Sequence, residues 1–258
     1  MSLIIATFAV VKPAMGPGVS TSIKLTGASP TALFLIAMGL WLLFDRAGLA
    51  ACVGIVSAYG LHELGRIIGY RIVGHETLSF RLLRLPRAGR NSDRPFASDL
   101  EAFFVTLMGP ALGLAPMVAF FAAAQWASGS WSKEVHEGLA MVAFMIGAFN
   151  FAALMPIYPM DGAKLLHLLT RAMFNRISKL PTLVFLLAVM ALGWSIQAPL
   201  LFLISVAGAL AYAARSPLPD RPRMSKRPAF MAATAMLALI CAYFLGGWWI
   251  ILLVTSGF

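Results

Sequence analysis

Between residues 31 and 254 the chain is mostly a succession of apolar runs, many of them near the roughly 20 residues that carry a helix across a bilayer. Runs near 31–46, 48–73, 101–126, 138–156 and 229–254 each read as one span. The stretch 181–214 is too long for one helix and is interrupted at Gly193-Trp-Ser-Ile-Gln-Ala-Pro199, so it reads as two short spans joined by a tight turn. The pattern predicts an all-α membrane protein with roughly six or seven transmembrane helices. Composition agrees. With 60% hydrophobic and 12% charged residues and a mean hydropathy of +0.84, the chain has too little polar surface for a soluble globule. By segment, 1–30 reads as an interfacial amino-terminal stretch, 31–175 as the membrane core and 176–258 as additional transmembrane helices.

The formal net charge of +10 does not point to nucleic acid, because the basic residues sit in short clusters between apolar runs, as in loops that face anionic lipid. Arg71, Arg81, Arg84, Arg87, Arg90 and Arg94 follow the second span. Arg171, Arg176 and Lys179 follow the fourth, and Arg215, Arg221, Arg223, Lys226 and Arg227 precede the last. The positive-inside rule puts all three clusters in the cytoplasm, with 127–136 and the carboxy terminus outside and the amino terminus inside. A multi-pass protein of a bacterial cytoplasmic membrane is expected. Cys52 and Cys241 lie in apolar segments without metal or disulfide spacing. Residues 3–11 lack the basic flank of a cleaved signal peptide.

Three stretches within the spans carry chemistry. In His62-Glu-Leu-Gly-Arg66, two-thirds of an HExxH zinc signature sits in an apolar helix. Positions i and i+4 share a helix face, which in HExxH sets two imidazoles on one metal with a glutamate beside its water. Here the second imidazole is replaced by Arg66, a permanent cation with no lone pair to give a metal. Leu107-Met-Gly-Pro-Ala-Leu-Gly113 carries a GxxxG pair and a proline in mid-helix. In Asn150-Phe-Ala-Ala-Leu-Met-Pro-Ile-Tyr-Pro-Met-Asp-Gly162, two prolines break the fourth span and leave Asp161 at the start of a new helix. Broken backbone at membrane depth has to be satisfied by protein or by water in a cavity.

In order and spacing these stretches resemble the site-2 protease family of intramembrane zinc metalloproteases, over about residues 48 to 175. That family pairs an HExxH helix with a Gly-Pro helix and a proline-rich segment ending in Leu-Asp-Gly. His62, Glu63, Gly65, Gly109, Pro110, Pro156, Pro159, Asp161 and Gly162 match it in order. The resemblance implies zinc as cofactor, His62 and Asp161 as ligands and Glu63 as the general base that activates water. It also implies a transmembrane segment of another membrane protein as substrate or ligand, held within the lipid bilayer.

The departures fall on chemical positions. Besides Arg66, Ala153 stands where the family has an asparagine, with Asn150 one turn earlier as a possible support. Gly113 takes the place of a polar residue after Gly-Pro, and Ala163 that of a second glycine. No histidine replaces the lost ligand: His75 and His136 fall in expected loops, and His167 points away from the face of Asp161. One histidine and one aspartate are fewer than the three protein ligands of a catalytic zinc. The expectation is therefore a site-2-protease-like protein with an impaired zinc site, possessing no metal or binding it weakly, and with Arg66 paired to Glu63 or Asp161. Two alternatives stay open: an active intramembrane metalloprotease, and a small transporter or channel that uses the buried ionisable groups.

Overall fold

The computed structural model describes residues 48–75, 94–129, 132–158, 160–174, 180–213 and 221–255. The expected interfacial segment 1–30, the span near 31–46 and most of the first basic cluster lie outside them. Among the described residues the chain is all-helical: α1 (Gly48–Ile72), α2 (Asp99–Ala127), α3 (Lys133–Leu154), α4 (Asp161–Phe174), α5 (Leu180–Ser195), α6 (Pro199–Ala213) and α7 (Lys226–Thr255). Helices α1, α2, α3 and α7 are long and apolar enough to cross a membrane, while α5 and α6 are apolar but shorter. This is an all-α membrane protein.

Local chemistry sets the helix ends. At the end of α1, Gly74 adopts φ 81°; its N–H donates to the Arg71 carbonyl at 3.0 Å and the His75 N–H to the Tyr70 carbonyl at 3.0 Å. This is a Schellman cap, in which a left-handed glycine satisfies carbonyls that the helix leaves open. The Tyr70 and His75 rings meet edge to face at 5.2 Å, supplying the contact that accompanies such a cap. At the start of α2, Ser98 Oγ accepts from the Glu101 N–H at 3.2 Å while Glu101 Oε2 accepts from the Ala97 N–H at 2.7 Å. That reciprocal arrangement is close to a capping box.

By packing, the chain forms two compact units that do not follow chain order. Of the described residues, one takes those within Met1–Pro95, Met108–Phe151 and Cys241–Phe258, and the other those within Phe96–Leu107 and Ala152–Ile240. In the first, small residues bring backbones together. A Cβ on Gly65 would run into the Met108 carbonyl oxygen of α2, and one on Gly54 would lie 2.6 Å from the Met145 Cβ of α3. Helix α1 is therefore lodged between α2 and α3 at van der Waals range.

In the second unit Asp99, fully buried, gathers three segments. Its carboxylate accepts from Arg221 Nε at 2.6 Å and lies 3.6 Å from Arg171 Nη1, and its N–H donates to the Pro222 carbonyl at 2.9 Å. The Phe96 ring has Arg221 Cζ at 5.7 Å and Lys164 Nζ at 5.9 Å, both within cation–π range. Helix α4 supplies both Lys164 and Arg171, and Lys164 also donates to Thr106 Oγ1 at 2.9 Å. The close turn from α3 into α4 depends on Gly162, where any side chain would overlap the Leu154 carbonyl.

Candidate functional site

The site is built on the buried face of α1. His62, Glu63 and Arg66 are 5%, 3% and 5% exposed, because spacings of three and four residues turn them toward α2 and α3 in the first unit. His62 Nδ1 lies 3.2 Å from Asn150 Oδ1, and Asn150 Nδ2 donates to the Ile146 carbonyl at 2.9 Å. With the amide nitrogen committed to Ile146, the amide oxygen faces the histidine and accepts from Nδ1–H. The ring also meets Phe149 edge to face, centroids 5.7 Å apart.

The Nε2 side of His62 is closed by Gly109. A Cβ built there would lie 2.8 Å from Nε2 and 3.1 Å from Arg66 Cγ, so the bare glycine of the Gly-Pro segment is what admits both side chains. Arg66 turns its guanidinium to Glu63, with Nη1 3.7 Å from Oε1 and both side chains nearly sealed from solvent. The pairing of Arg66 with a neighbouring carboxylate is therefore present, as an i,i+3 ion pair on α1 itself.

Around this pair the altered positions have local explanations. Asn150 occupies the space beside Gly113, where a Cβ would collide with its Nδ2 and lie 2.9 Å from the Tyr243 hydroxyl. A polar side chain at 113 and the observed Asn150 could not both fit, so the amide from α3 takes up that volume. The Tyr243 hydroxyl, from α7, donates to the Pro110 carbonyl at 2.6 Å. Sequence reasoning missed Tyr243 and Phe149. The single tyrosine within the last apolar run was the signal for the first, and nothing marked the second among eighteen phenylalanines.

Asp161 belongs to the second unit, where it opens α4 and is half-buried. The turn before it is held by Met155 N–H to the Ala152 carbonyl at 3.0 Å and Met160 N–H to the Ile157 carbonyl at 2.8 Å. Pro156 lies in this turn; Pro159 is outside the described residues. Ala153 is buried near the end of α3. The remaining histidines have partners of their own. His75 belongs to the α1 cap, His136 Nδ1 lies 2.8 Å from the Ala124 carbonyl, and in the second unit His167 Nδ1 lies 3.0 Å from the Tyr212 hydroxyl.

A catalytic zinc takes three protein ligands. Within either unit, among the described residues, no three His, Cys, Asp or Glu side chains form a group that could hold a metal. In the first unit His62 offers one nitrogen, and the helix position that should offer the second presents a guanidinium already turned to Glu63.

No protein-family model matches the chain, and no curated protein matches it. Among solved structures, one described as a site-2 protease from Methanocaldococcus jannaschii is similar, at 12% identity and a TM-score of 0.44, over 82% of this chain and 97% of that one.

Proposed function

We propose that this chain is a site-2-protease-like protein of a bacterial cytoplasmic membrane whose zinc site is impaired and whose proteolysis is reduced or lost. What it keeps is a polar, helix-lined environment in the bilayer suited to holding a transmembrane segment of another membrane protein as ligand. The observation that carries this reading is Arg66, buried one helical turn after His62 with its guanidinium 3.7 Å from Glu63. A carboxylate held by a guanidinium is a poor general base, and an arginine cannot be a ligand. The motif order from His62 through Gly109 to Asp161 supports the family reading, and the Asn150-oriented imidazole supports descent from a ligand.

Metal analysis of the purified protein tests it. Zinc well below one ion per chain is expected, with Arg66→His raising occupancy toward one by restoring the second imidazole. Native protein with about one zinc per chain, lost in His62→Ala or Asp161→Ala, would instead establish the active metalloprotease reading.

A further inference from the structure

The end of α1 holds a cation that none of the described residues answers. Arg71 lies in the last turn of the helix, and its Nε and Nη2 are buried without a hydrogen-bond partner. A charge sealed from water and left unpaired is among the costliest arrangements a fold can contain. The ordinary uses of a last-turn arginine do not apply. It could close the final carbonyls of its own helix, but those are taken. Gly69 accepts from the Val73 N–H at 3.2 Å, Tyr70 from the His75 N–H at 3.0 Å and Arg71 from the Gly74 N–H at 3.0 Å, and Val73 accepts from Arg94 Nη2 at 2.8 Å. It could extend its head into water, which would not leave two of three nitrogens sealed. It could pair with an acid, but no ion pair among the described residues includes it.

A second guanidinium stands at the same cap, within the first unit. Arg94 is exposed, and its Nη2, besides donating to the Val73 carbonyl, would lie 3.5 Å from a Cβ on Gly74. One nitrogen is thereby engaged, and the rest of the fork remains for another acceptor. No ion pair among the described residues includes Arg94 either. Next to Arg71, the aliphatic Ile72 is 50% exposed, at the end of a helix of 25 residues long and apolar enough to cross a membrane. Two guanidinia beside an exposed aliphatic side chain match an anion that carries a hydrocarbon tail.

We infer that the α1 cap is a binding site for an anionic phospholipid, whose phosphate is held by Arg71 and Arg94 and whose acyl chain lies along Ile72. A guanidinium offers two parallel N–H groups to the oxygens of one phosphate, which a lysine cannot do. Basic residues at the end of a span attract anionic headgroups, and a phosphate at Arg71 supplies the acceptor that its nitrogens lack. The cap that carries both arginines is fixed in shape by Gly74 at φ 81° and by the Tyr70 and His75 rings at 5.2 Å, so little ordering remains to be done on binding. The inference does not depend on whether zinc binds or peptides are cleaved.

The test uses the full chain in nonionic detergent micelles, with the midpoint of thermal unfolding followed as phosphatidylglycerol, phosphatidylcholine or inorganic phosphate is added. The midpoint is expected to rise with phosphatidylglycerol and to change little with the other two. Arg71→Gln should raise the half-saturating fraction of phosphatidylglycerol by about tenfold or more, the worth of one charge-assisted hydrogen bond. Arg94→Gln should shift it in the same direction, whereas Lys226→Gln, at an exposed basic residue that starts α7, should leave it little changed. Without lipid, Arg71→Gln should be at least as stable as the native chain, because it removes a buried charge that has no partner. An Arg71→Gln protein that fails to fold, or that loses the same stability with and without phosphatidylglycerol, would overturn the inference in favour of a structural arginine. Unchanged half-saturation in both arginine variants would overturn it by placing the lipid elsewhere. A rise with inorganic phosphate equal to that with phosphatidylglycerol would overturn it in favour of a free-anion site, and an equal rise with phosphatidylcholine would remove the need for a net negative headgroup and overturn it too.

Discussion

At the scale of single residues, one substitution turns a ligand position into a charge that must find a partner. Arg66 finds it one turn back, in Glu63, with both side chains nearly free of solvent. Removing one member of a buried pair strands the other, so Arg66→Ala is expected to destabilise the protein by about 3–5 kcal/mol, measured by unfolding in mild detergent. The exposed Lys226→Ala should change stability by less than about 0.5 kcal/mol. Arg71 is a poor control, since its Nε and Nη2 are buried. Equal stability of Arg66→Ala and Lys226→Ala would show that the pair does not hold the fold. His62, Glu63, Arg66 and Asn150 were legible in sequence because polar residues stand out in an apolar run. The direction of the guanidinium was not, since Glu63 and Asp161 were both open to it and only packing against Gly109 fixes the arginine stem. The role of Gly113 was equally hidden. Its missing side chain reads as a loss until Asn150 is seen in the space.

At the scale of elements, glycines separate by what they face. Gly60 and Gly65 lie on the same helix, yet a Cβ on Gly60 meets nothing within 4 Å while one on Gly65 would strike the α2 backbone. Backbone cannot step aside as a side chain tip can. Gly65→Ala is therefore expected to cost about 1–3 kcal/mol through forced separation of the helices. Gly60→Ala should be neutral, or stabilise by up to about 1 kcal/mol from helix propensity alone. Thermal unfolding of the two variants side by side checks this, and similar loss in both would refute the close contact of α1 with α2. Among the described residues the long spans were readable to within about five residues at each end. Apolar length carries that information, and the Gly193–Pro199 interruption marked the α5–α6 turn. Helix α4 was legible only at its start, because a short amphipathic helix has neither the length nor the uniform apolarity of a span.

At the scale of the molecule, charge decides which face meets which compartment. The sequence assigns the three basic clusters to one side by counting alone. In the second unit Asp99 pairs with Arg171 of α4 and with Arg221 ahead of α7. The hydrogen bond from Asp99 N–H to the Pro222 carbonyl ties the start of α2 to the segment just ahead of α7. The expected arrangement puts 74–99, 172–180 and 215–228 in the cytoplasm and the α2–α3 loop outside. With Cys52 and Cys241 removed, Leu85→Cys and Asp220→Cys should react with an impermeant maleimide only after permeabilisation of the inner membrane, whereas Ser128→Cys should react in cells whose inner membrane is intact. Labelling of positions 85 and 220 from the outer face would reverse the orientation, and labelling of only one would place the two clusters on opposite sides. Asp99→Asn distinguishes a charge clasp from simple proximity. It keeps the shape but gives up the carboxylate that two arginines share, and should lower stability by about 3 kcal/mol or more while leaving the labelling pattern unchanged, since orientation follows the summed basic residues rather than one acid.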